Sequence, residues 1–140
     1  MITSTESKEM TVSNLKGGQI KIDVWTITHN HDEVRHCVFY KHEDGKTLQA
    51  VEEELEGAIG MLQWAIIGYD KKKAMEVAKK EADMFIKQDT RIAGLKCPTN
   101  VIINQACEEA CKRHKVEDVE GLKRLMKSTH IHTMKIQGLA

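Results

Sequence analysis

Residues 47–69 read TLQAVEEELEGAIGMLQWAIIGY. Leu48, Val51, Leu55, Ile59, Leu62 and Ile66 recur at steps of three and four, which is the apolar stripe of a helix and the longest such stripe in the chain. Thr47 stands where a cap is needed, and Glu52, Glu53 and Glu54 fall near the positive end of the helix dipole. From Met61 to Ile67 only Gln63 is polar, so this half is expected to be buried on more than one side. Gly57 and Gly60 each cost a helix about 1 kcal/mol relative to alanine. The stripe passes through both in phase, which favours close packing of another backbone over a break.

Towards the N-terminus the period shortens to two. Residues 19–28 place Ile20, Ile22 and Val24 on one side and Lys21 and Asp23 on the other, a half-buried strand. The parity shifts at Trp25 and Ile27, as a bulge or a strand covered on both faces would require. His29, Asn30, His31 and Asp32 form a polar turn, and residues 34–42 a second strand, so the two make an antiparallel hairpin. Glu43-Asp44-Gly45-Lys46 is a turn leading into the helix. Residues 1–10, MITSTESKEM, read as a flexible polar arm, and Gly17-Gly18 as a turn after it.

Towards the C-terminus, Asp70 would cap a second helix over residues 71–88. Ala74, Ala78, Ala82, Phe85 and Ile86 form its inner face, and a tight Gly68-Tyr69-Asp70 link would make a helical hairpin. A third helix is expected from Thr99 or Asn100 to His114, and a short fourth over residues 116–127. Residues 129–137 alternate again and would form a third strand. The expected class is therefore α+β: an N-terminal antiparallel hairpin, three to four helices, and a short C-terminal strand joining the sheet. Residues 11–140 form one domain in this reading.

Composition narrows the partners. Lysine plus arginine equals aspartate plus glutamate at 21 each, which removes the global electrostatic case for nucleic acid. Six aromatic residues give little material for base stacking. No uncharged apolar run is long enough for a membrane span, and the first residues lack a signal-peptide pattern. A cytoplasmic location is expected, with all four cysteines as reduced thiols.

Three constellations carry chemistry. His29 and His31 are two apart, as are His130 and His132; on strands each pair would share a face and could ligate zinc or another divalent transition metal. Cys107, Cys111 and His114 fall on one helical face, where neighbouring Ala106 and Ala110 favour core packing over ligation. Third, basic residues gather on the later helices while Glu52, Glu53, Glu54 and Glu56 gather on the first. Helix dipoles account for most of this segregation. Lys71 to Lys73 resist that explanation, because they would open their helix at its positive end. Phosphate loops, nucleophile elbows and H-E-x-x-H motifs are missing, so catalysis has no sequence signature. The expected function is a non-enzymatic binding or regulatory protein that holds a nucleotide-like or phosphate-bearing anion at a homo-oligomer interface. The oligomer would be built from dimers, and the ligand residues would be Lys71, Lys72, Arg91, Arg113 and Arg124. The alternatives are a metal-binding protein or hydrolase using the histidine pairs, and a structural interaction module.

Overall fold

A computed structural model describes the backbone of residues 1–136 and the side chains of residues 1–131. The elements are β1 (Ile2–Ser13), β2 (Gln19–His29), β3 (Glu33–Lys41), β4 (Thr47–Glu52), α1 (Leu55–Ile92), α2 (Asn100–His114) and α3 (Val119–Ile136). The class is α+β: four antiparallel strands in the order β1-β2-β3-β4, then three helices. Two compact units divide the chain, Met1–Tyr69 and the part from Asp70 onward, with the boundary inside α1.

In the first unit, alternation decides which face is buried. Ile22 and Val24 of β2 point to the same side as Val38 of β3 and Ala50 of β4, since Val24 lies opposite Val38 and Val38 opposite Ala50. Onto this face α1 lays Ala58, Leu62 and Ile66, one residue every four, and together these seven form the unit's core. The strands are joined by short turns. Asn14 Oδ1 accepts from the Lys16 and Gly18 N–H groups at 2.8 and 2.9 Å, and Gly17 takes φ +85°. Gly45, at φ +92°, makes the β3–β4 turn, where His42 N–H donates to Lys46 O at 2.8 Å.

In the second unit three helices share one aliphatic and thiol core. It holds Ala78, Ala82 and Ile86 of α1, Ile103, Ala106, Cys107, Ala110 and Cys111 of α2, and Leu122 and Met126 of α3. The four alanines leave room for close helix packing. Thr99 caps α2 by accepting from the Ile102 N–H at 3.3 Å, and Lys115 ends it in the left-handed region at φ +54°.

Several expectations change. Residues 47–52 are strand β4, not the start of the helix, because Asp44-Gly45 closes a hairpin and Thr47–Glu52 pairs with β3. Gly68-Tyr69-Asp70 is not a link: α1 runs through it, and Gly68 does not take a positive φ. Asp70 therefore sits inside a helix instead of capping one. Residues 1–10 lie almost wholly in β1, paired with β2. No register shift occurs at Trp25, so the parity change there marks an apolar residue on the outer face. The expected C-terminal strand is not formed: residues 129–136 belong to α3, and residue 137 lies outside the described residues. The alternation there is compatible with a helix whose inward positions, Leu122 and Met126, lie earlier in the sequence.

Candidate functional site

The second unit carries a groove of about 400 Å³ lined by Glu76, Lys79, Lys80 and Asp83 from α1 and by Met126 and Thr129 from α3. Residues 76, 79, 80 and 83 step along α1 by three or four, which keeps them on one stripe. Met126 is buried and supplies an apolar surface. Asp83 is already paired with a cation: Oδ2 lies 2.9 Å from Lys87 Nζ, while Oδ1 lies 3.5 Å from His130 Nε2. His130 Nε2 is buried and, among the described residues, has no hydrogen-bond partner. Lys79 and Lys80 are exposed, and among the described residues neither is in an ion pair. Glu76 is the groove's one other carboxylate. The arrangement is an apolar patch beside two uncommitted ammonium groups, suited to a ligand with an anionic end and a less polar body.

The five expected ligand residues do not converge. Lys71 and Lys72 are exposed on α1, and Arg91 lies in its last turn, about 30 Å further along at 1.5 Å per residue. Arg113 is committed to Glu81 and lies over the Phe85 ring at 5.7 Å from its centroid. Arg124 is exposed on α3. His114, the neighbour of Arg113, bonds the other Glu81 oxygen, so one carboxylate of α1 gathers two side chains of α2. This Glu81 hub was not legible in the sequence, since its members are more than thirty positions apart.

The histidine pairs do not share strand faces as expected. His29 ends β2, while His31 sits in the following turn at φ +73°. His130 and His132 fall on α3, where positions two apart are about 200° apart around the axis. Among the described residues no three of His, Cys, Asp and Glu gather to hold a metal ion. Cys107 and Cys111 are buried in the core, and burial pushes both thiols up, Cys107 to about 11 with the neighbouring Cys111 as its second cause. Burial also raises the Cys37 thiol, so it has no depressed pKa to make it a nucleophile.

In the first unit, apolar residues remain in the open. On the outer sheet face Trp25 lies opposite Cys37 and Cys37 opposite Val51, with Trp25 41% and Val51 44% exposed. On α1, Trp64 is 68% exposed and Met61 50%. A Cβ added at Gly60 or Gly68 would meet nothing within 4 Å, so among the described residues no backbone beyond the local turns of α1 packs there. At the β3–β4 turn, the Tyr69 hydroxyl donates to Asp44, His42 Nδ1 lies 3.2 Å from Asp44 Oδ1, and the Lys46 ammonium sits 5.2 Å from the Tyr69 ring centroid. No helix among the described residues is long and apolar enough to cross a membrane. In comparison with known proteins, no family model, no curated protein and no solved structure matches this chain.

Proposed function

We propose that the chain is a non-enzymatic binding protein that holds a phosphate-bearing small anion in the groove of its second unit and works as a homo-oligomer in the cytoplasm. The supporting observation is Lys79 and Lys80 beside an apolar surface in a groove where one of the two carboxylates, Asp83, is already paired with Lys87. Two ammonium groups against the single carboxylate of Glu76 attract an anion, and Met126 lines the groove with an apolar side chain. Lys79 and Lys80 replace the five expected residues in the proposed ligand set, because none of those lines the groove and Arg113 would also have to leave Glu81 to take part.

Calorimetric titration with ATP and with pyrophosphate tests this reading. ATP should bind saturably, pyrophosphate more weakly, and Lys79→Glu/Lys80→Glu should weaken ATP by about tenfold or more. Both lysines are exposed, so the variant should stay folded and lose only about 1 kcal/mol, through new like-charge pairs with Glu76 and Asp83. Equal affinity in the folded variant, or no heat from either probe, would contradict the reading. A second reading, an interaction module without a small ligand, draws support from the exposed Trp25 and Trp64. It expects silence in the titration together with self-association.

A further inference from the structure

We propose that two copies of this chain join edge to edge through β1, making one continuous eight-stranded antiparallel sheet. The proposal rests on the homo-oligomer part of the reading above and names its interface. β1 is one end of the sheet order and pairs with β2 on one side only. At 12 residues it is about twice the length of an average strand, and it contains no proline.

The register with β2 says which backbone groups face outward. Asn14 N–H donates to Gly18 O at 3.0 Å, and the same pairing continues through Val12↔Ile20, Met10↔Ile22, Lys8↔Val24 and Glu6↔Thr26. Hydrogen-bonded and non-hydrogen-bonded pairs alternate along an antiparallel ladder. The even-numbered residues therefore bond to β2, and Thr5, Ser7, Glu9 and Thr11 turn their N–H and C=O groups to the open edge. A second copy related by a twofold axis perpendicular to the sheet meets these groups with its own.

Charge selects the register. With the axis at Ser7, Glu6 stands opposite the second copy's Lys8, Lys8 opposite its Glu6, Thr5 opposite its Glu9, and Ser4 opposite its Met10. Shifting the axis to Glu6 sets two glutamates face to face, and shifting it to Lys8 sets two lysines face to face. Only the Ser7-centred register matches opposite charges twice over the ladder. Among the described residues neither Glu6 nor Lys8 is in an ion pair within the chain, so both are open to a second copy. The bulge between Ile2 and Ser4 bounds the new ladder to residues 4–10. A run of lysines would have kept two such edges apart; here the alternating signs complement themselves.

Sedimentation equilibrium of the full chain tests the interface. Wild type should have twice the 15.9 kDa chain mass. Ser7→Pro removes an outward N–H without touching the ladder to β2 and should halve that mass, with an unchanged circular dichroism spectrum as the folding control. Glu6→Lys alone and Lys8→Glu alone should each be monomeric. An equimolar mixture of the two should recover the dimer, as should the Glu6→Lys/Lys8→Glu double variant. A wild-type monomer would overturn both the proposal and the homo-oligomer reading. An oligomer indifferent to all these variants would overturn the β1 interface alone.

Discussion

Cys107 shows how a buried side chain writes itself into pH dependence. It is fully buried between Ala106, Cys111 and the helices around them, and burial pushes its thiol up to about 11 from an ordinary 9.0. Below pH 9 the thiol is neutral in both folded and unfolded chains, and this stabilising contribution is fully present. As pH rises the unfolded chain gives up the proton first, so the contribution is lost progressively and is gone above about 11. Its size is on the order of 2 kcal/mol. Urea unfolding across this range should show falling stability, and Cys107→Ala should flatten the slope even though the cavity lowers stability throughout. An unchanged slope in Cys107→Ala would refute the assignment. The burial of Cys107 and Cys111 was legible from the alanines beside them, at positions repeating with the helix. The Glu81 partners of Arg113 and His114 were not, because local spacing carries no information about a carboxylate on another helix.

At the scale of elements, the glycines of α1 give the sharpest expectation. Gly60 and Gly68 lie inside a helix, without positive φ, and an added Cβ would meet nothing at either. Gly60→Ala and Gly68→Ala should therefore each raise stability by roughly 1 kcal/mol, through helix propensity and a less flexible unfolded chain. Thermal melts of both variants check this, and a lowered melting temperature would show that a second backbone approaches there in the assembly. By contrast, Leu62→Ala removes a core side chain on the opposite side and should cost about 2–5 kcal/mol. Hairpin β2–β3, its His29–Asp32 turn, and α2 with its Thr99 cap were legible from alternation and capping chemistry. The limits of α1 were not. Leu48 and Val51 satisfy a helical step of three, and only pairing with β3 shows them as strand residues on opposite faces. Similarly, β1 is mostly polar because residues 4–9 are exposed on both faces of the sheet, so it carries little hydrophobic signal.

At the scale of the molecule, each unit has a core of its own, one between sheet and helix and one among three helices. Lysines are distributed along the second unit while the acidic run at residues 52–54 and Glu56 belong to the first, so the zero net charge conceals two surfaces of different character. In our proposal the basic unit holds the anion and the sheet of the other unit assembles the copies. Native mass spectrometry of untagged protein, with a denatured control and the Lys79→Glu/Lys80→Glu variant alongside, reads both at once. We expect an even-numbered oligomer carrying non-covalent mass that is lost on denaturation and in the variant. A monomer of 15.9 kDa with no added mass, or added mass that the variant retains, would contradict it.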